Sequence, residues 1–207
     1  MEVLVLESDP HDADDAVRAL VAAGHTVRRC HEPGAEPFPC AALAGSPCPA
    51  LELGVDVAVT VRSRSVDRPT LLEDGVACAL RSHIPVVVAG EVDGPSPYSD
   101  WAATVVRRDE VVEACERAAT APLRRHTSVA SAEFARALRT GGFDASDSHG
   151  EVFRRHGRLR AVLDPGVVLD RRAADLAVRR VMAAVRELDP TAGGIDVSLP
   201  GTEDPLT

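Results

Sequence analysis

The stretch Val3-Leu4-Val5-Leu6-Glu7-Ser8-Asp9-Pro10 decides the reading of this chain. Its four consecutive apolar residues, two of them valine, suit a strand buried on both faces, as a parallel sheet requires. The run stops at an acidic cluster closed by a proline. Residues 12–23 then read as a helix. Ala16, Val17, Leu20, Val21 and Ala23 form its apolar face, and Asp12, Asp14 and Asp15 complement the dipole at its start. Gly24 ends that helix, and residues 26–30 read as a second strand.

Working outward, residues 55–61, 84–89 and 103–106 read as three further strands, and 71–82 and 109–119 as two further helices. Prolines at 33, 37, 39, 47 and 49 forbid a continuous helix between the second and third strands, leaving one short turn around 41–44. The helix between the fourth and fifth strands is shortened. Strands alternating with helices predict an α/β domain with a doubly wound, parallel five-stranded sheet over residues 1–119. Residues 120–128 read as a linker. Beyond them a helix at 129–139, a hairpin over 152–163 turning at His156-Gly157, a helix at 171–188 and a strand at 195–199 predict a small α+β domain, α-β-β-α-β, over 129–200. Residues 201–207 read as a disordered tail.

Composition narrows the function classes. Lysine, asparagine and glutamine are absent while arginine, alanine, aspartate, glycine and proline abound, the bias of a GC-rich, actinobacterial genome. The net charge of −9 is uneven: residues 1–120 carry 10 Arg against 20 Asp and Glu, whereas residues 121–207 carry 13 Arg against 12 acids. An acidic first half disfavours non-specific contact with nucleic acid or anionic membrane. The opening residues lack the basic flank and long apolar segment of a signal peptide, and no apolar run approaches membrane-spanning length. The expectation is a cytoplasmic protein with no membrane partner, its five cysteines held as thiols.

The first 30 residues, with the later Ile84-Pro85-Val86-Val87-Val88-Ala89-Gly90 segment, resemble a response-regulator receiver domain of two-component signalling, over about residues 2–119. The resemblance implies a flavodoxin-like sheet whose carboxyl edge carries phosphotransfer chemistry. A receiver needs an aspartate nucleophile after its third strand, an acidic pair after the first to hold Mg²⁺, a hydroxyl after the fourth and a lysine after the fifth. Matched to that pattern, Glu7 and Ser8 take the acidic pair, with Asp9 one residue late. Val61 takes the phosphoacceptor position, Gly90 the hydroxyl position, and Arg107 is the nearest cation to the lysine position. Most of the required groups are replaced at once, so the chain resembles a degenerate receiver.

Other constellations carry weaker signals. Asp9-Pro10-His11 is similar to the Asp-x-His-x-x-Gly motif of cobalamin-binding domains, with Asp14 where glycine belongs. Cys30, His31, Cys40 and Cys48 are candidate zinc ligands without a Cys-x-x-Cys pair, and Cys78 and Cys115 read as core residues. Arg171, Arg172, Arg179 and Arg180, together with Arg154, Arg155, Arg158 and Arg160, are a possible basic surface. There is no Gly-x-Ser-x-Gly elbow, and without lysine no phosphate-binding Gly-x-x-x-x-Gly-Lys loop. The expectation is therefore a regulatory protein, not an enzyme and with no cofactor. It would act without phosphorylation through a protein partner or as a homodimer, using the last strand–helix face that receivers pair through or the stripe of the 171–188 helix. The alternatives are a sensor of cobalamin or a metabolite in the same cleft, and a DNA-binding regulator using the arginine-rich second half.

Overall fold

The computed structural model describes residues 1–31, 34–38, 40, 42–52 and 54–200. The chain divides into two compact units: Met1–Ala121 with Arg155–Gly157, and Pro122–Arg154 with the described residues from Arg158 on. The expected tail at 201–207 lies outside the described residues.

The first unit is built on strands β1 (Glu2–Glu7), β2 (Thr26–Arg29), β3 (Val57–Val61), β4 (Val86–Ala89) and β5 (Thr104–Val106). They form one parallel sheet in the order β2-β1-β3-β4-β5, the order of flavodoxin-like doubly wound folds. Alternation along each strand divides the apolar runs between two cores. Val3, Val5, Val57, Val59, Val61 and Val87 face helices α1 (Asp14–Ala22) and α4 (Val111–Thr120), where Leu20, Val111 and Cys115 meet them. Leu4, Leu6, Ala58, Val86 and Val88 face the other way, toward α3 (Asp74–Arg81), with Val76 and Ala79. Every residue of β3 and β4 is buried, which is why these segments show no polar alternation in the sequence.

Two connections depart from the receiver pattern. Between β2 and β3 the only helix among the described residues is the four-residue α2 (Pro49–Glu52). The expected turn around 41–44 is present from Ala42 to Gly45, where the Gly45 amide bonds the Ala42 carbonyl at 3.1 Å; Ala41 lies outside the described residues. Between β4 and β5 a single hydrogen-bonded turn, with the Ala102 amide on the Tyr98 carbonyl at 2.8 Å, stands where a helix would run.

The second unit comprises α5 (Arg124–Thr140), β6 (His149–Arg155), β7 (Arg158–Asp164), α6 (Arg171–Leu188) and β8 (Ile195–Ser198), with sheet order β6-β7-β8. β6 and β7 form a hairpin whose two turn residues, His156 and Gly157, both have positive φ, as a type I′ turn requires. β7 and β8 are parallel, Leu159 beside Ile195, across the α6 crossover. The linker expected at 120–128 is corrected to the three residues between α4 and α5. α5 begins at Arg124 because His126 is buried one turn before Ala130 and Phe134 and extends the helix's inner stripe through polar sequence.

The α6 stripe is also corrected as a binding face. Ala174, Ala177, Val181 and Val185 are buried against Phe134, Leu159 and Leu163 in the core of their own unit, with Asp170 capping the helix through the Ala173 amide at 2.8 Å. Phe134 is the largest fully buried side chain among the described residues. Phe134→Ala should therefore cost about 3–5 kcal/mol through the cavity it leaves, read as a lowered midpoint in chemical denaturation; an unchanged midpoint would contradict this packing.

Candidate functional site

Sheet register assembles the candidate site. Glu7 lies beside Val61, Val61 beside Ala89, and Ala89 beside Val106. The ladder runs one step further: Ser8 N donates to Val61 O at 2.9 Å, Arg62 N to Ala89 O at 2.8 Å, and Gly90 N to Val106 O at 2.9 Å. Glu7, Ser8, Val61, Gly90 and Arg107 thus meet along one carboxyl edge, where open α/β sheets bind ligands.

The groups at that edge are committed to one another. Glu7 is buried, and its carboxylate accepts from the Ala13 amide at 3.2 Å and sits 3.6 Å from Arg29. It holds the start of α1. Val61 is 1% exposed and part of the hydrocarbon core, so no nucleophile ends β3. Gly90 passes so close to the next strand that a Cβ there would lie 2.9 Å from the Arg62 carbonyl oxygen. Packing therefore excludes the hydroxyl side chain that a receiver carries at this position. Arg107 is exposed, its amide donating to Glu110 Oε2 at 3.0 Å, and with Gly90, Glu91, Asp93 and Glu110 it lines an open groove of about 950 Å³.

The centre of the edge is a residue expected only to support a helix dipole. One carboxylate oxygen of Asp12, Oδ2, accepts from Ser8 Oγ at 3.0 Å, from the Asp9 amide at 3.1 Å and from the Ser63 amide at 3.1 Å. Arg108 approaches the other oxygen to 3.6 Å. Ser63 Oγ donates to Asp9 at 3.0 Å, and Arg64 lies 3.5 Å from the same carboxylate. Two backbone N–H groups, a hydroxyl and a guanidinium converging on one anion make an oxyanion cradle, and the anion in it is the protein's own.

Beside the cradle the chain turns under a buried ion pair. The Arg62 and Glu73 side chains are 3% and 0% exposed and 3.2 Å apart. Glu73 also accepts from Thr60 Oγ1 at 2.8 Å and from the Thr70 amide at 2.9 Å. Arg62 donates to the carbonyls of Val66 and Arg68 and stacks 5.7 Å from the Tyr98 ring centre. Burial, and then the charge of Glu73, pushes the Tyr98 phenol up. The Thr70-x-x-Glu73 spacing was a readable capping-box signal for this turn; the partner of Glu73 was not readable.

The remaining candidates are placed as follows. His11, at positive φ, has an exposed ring whose Nδ1 lies 3.1 Å from Asp14, so the motif's sixth residue engages its histidine. Cys30, His31, Cys40 and Cys48 are all partly buried. Burial pushes the Cys30 thiol up to about 12, aided by Cys48, Cys78 and Cys40. Cys115 is pushed to about 12 by burial in the α1–α4 core. Among the described residues no three His, Cys, Asp or Glu side chains are grouped to hold a metal ion, and no helix is long and apolar enough to cross a membrane.

The single basic surface is corrected. Arg154 is buried and donates to Asp189 at 2.9 Å, in a cluster with His126 at 3.5 Å from the same carboxylate. Arg158 forks onto both carboxylate oxygens of Asp196, at 2.9 and 3.1 Å. Leu159, Ala161 and Leu163 point from β7 into the core shared with α6, so Arg158 and Arg160 leave the sheet on the face away from that helix. Arg171, Arg172, Arg179 and Arg180 lie on the outer side of α6, and Arg180 is 3.9 Å from Glu133. The two sets of arginines are separated by the core.

No protein-family model matches the chain, and no curated protein and no solved structure is similar enough to count as a match. The site thus stands on its own geometry.

Removing one partner of a buried ion pair strands the other, so Arg62→Met or Glu73→Leu alone should cost about 3–5 kcal/mol. The double replacement Arg62→Met/Glu73→Leu should cost clearly less than the sum, because no charge is left buried. A double-mutant cycle by urea unfolding measures this, and additive losses would contradict the pairing.

Proposed function

We propose that the first unit is a pseudo-receiver, a regulatory module that works by binding a protein partner or a second copy of itself and is indifferent to phosphorylation. The observation that carries this reading is the Asp12 cradle. At the strand ends the Ser8 hydroxyl and the Asp9 and Ser63 amides are taken up by an internal carboxylate, and the strand end that would supply the nucleophile offers the Val61 side chain. Each replaced group would have contributed to the same charge stabilisation, so their losses compound. The edge is held in one arrangement from within, which is what a constitutive binding module needs.

Recognition would use the β5 side of the sheet. β5 is an edge strand, and the short turn before it holds the chain's one tryptophan, Trp101, 64% exposed. Aromatic side chains on open strand edges are common anchors of protein interfaces. His11 engaged with Asp14, and arginines divided between two sides of the second unit, place this reading ahead of cobalamin sensing and DNA binding.

Incubation of the full chain with Mg²⁺ and acetyl phosphate tests it. Intact-mass spectrometry should show no phosphorylated species, and the elution volume on size exclusion should not change. A stoichiometric, hydroxylamine-labile acyl phosphate would overturn the proposal.

A further inference from the structure

Parallel sheets are normally covered by helices on both faces, and the first unit leaves part of one face open. The connection from β4 to β5 contributes a single turn and no helix. Val105 of β5, half-buried on the α3 side of the sheet, lines the groove of about 950 Å³ that results. Val92, also in its lining, is 47% exposed. Around these two valines stand three carboxylates, Glu91, Asp93 and Glu110, against one guanidinium, Arg107. Among the described residues Glu91 and Asp93 form no ion pair.

The second unit carries a helix surface of the opposite character. α6 buries Ala174, Ala177, Val181 and Val185. The side away from them reads Arg172, Leu176, Arg179, Ala183, Arg186, a row whose alternating steps of four and three keep it on one line along the helix. Arg172, Arg179 and Ala183 are exposed, and Met182 beside them is 38% exposed. Among the described residues Arg172 and Arg179 form no ion pair. A volume of about 950 Å³ takes about two turns of a helix ~10 Å across, the length that separates Arg172 from Arg179. α5 fits less well: its outer row of Ser128, Ala132 and Arg136 has no large apolar residue, and Arg136 is held by Glu133 at 3.0 Å.

We propose that the outer row of α6 from one copy of this chain docks in the β5 groove of a second copy and supplies the helix that the sheet lacks. The inference rests on the reading of the first unit as a binding module and names its partner. Arg172 and Arg179 would answer Glu91, Asp93 and Glu110, and Leu176 and Met182 would bring apolar surface to Val92 and Val105. Groove and helix row are different surfaces, so the contact is head-to-tail. Each copy can then join two others, and growth continues until a ring closes. Exposed charges of this kind set partner choice and salt dependence.

Sedimentation equilibrium of the full chain at low salt should show a molar mass that rises with concentration past that of a dimer, and falls when salt is added. Glu91→Arg/Asp93→Arg and, separately, Arg172→Glu/Arg179→Glu should each weaken association by roughly tenfold or more, since exposed pairs turn from attraction to repulsion. The first variant moves the net charge of −9 toward zero, which by itself would favour association, so its loss reports the groove. The chain carrying all four reversals should associate again, and Arg125→Glu/Arg139→Glu on α5 should change little. Unfolding midpoints equal to wild type establish that the variants are folded. A wild type that stays monomeric at every concentration, association that survives Glu91→Arg/Asp93→Arg, or folded fourfold-reversed chain that does not recover would each overturn the proposal. A monomeric chain that takes no phosphoryl group would overturn this inference alone and leave the pseudo-receiver reading standing.

Discussion

The arrangement of the carboxyl edge depends on one buried ion pair. Arg62 leaves the sheet directly after β3 and turns inward to Glu73, where both side chains are almost wholly shielded from water. Burying two charges is costly, and the cost is offset only as far as the remaining donors and acceptors are well placed. Thr60, the Thr70 amide and the carbonyls of Val66 and Arg68 provide most of those placements, while Arg62 Nε is buried without a hydrogen-bond partner. The pair thereby sets the course of the whole connection from β3 to α3. The β3–β4 ladder meanwhile brings the Arg62 backbone against Gly90 and leaves no room for a side chain there.

With that connection fixed, Ser63 reaches across to the β1–α1 turn, and Asp12 becomes the anion that joins the two. The cradle and the ion pair are complementary devices. One fixes the loop after β3 from the side facing α3, and the other fixes its start against the turn after β1. Together they tie the loop after β3 to the turn after β1 and to the start of α3. The second unit is organised on a similar principle, with Asp189 buried among Arg154, His126 and Thr191 where α5, β6 and α6 meet.

The fold was legible because its signals are local. Val3 to Leu6, the β3 valines and Val86 to Val88 are apolar on both faces, and the α6 stripe recurs at three- and four-residue spacing, so patterning alone located them. The positions of the carboxyl edge were legible for the same reason, since they are strand ends. What the sequence hid was every interaction whose partner is distant or whose residue type misleads. Asp12 reads as a carboxylate supporting a helix start, and its partner Ser63 is 51 residues away. Arg62 after a strand reads as exposed. His126 is a buried residue amid arginine, threonine and serine, which made the first turns of α5 look like a linker. Hydrophobic period cannot reveal a buried charge; only the closure of its hydrogen bonds can.

The Asp12 carboxylate is the tie between the turn after β1 and the loop after β3. Amide hydrogen exchange by NMR, in the wild type and in Asp12→Ala, measures it at the two backbone donors. A hydrogen bond to a charged acceptor contributes about 1.5–3 kcal/mol, or roughly ten- to a hundredfold in exchange. The account predicts that the Asp9 and Ser63 amides exchange faster by that factor in the variant, while the Ser8 amide, bonded to Val61 O, keeps its rate. Equal exchange at Asp9 and Ser63 in the two proteins would contradict it.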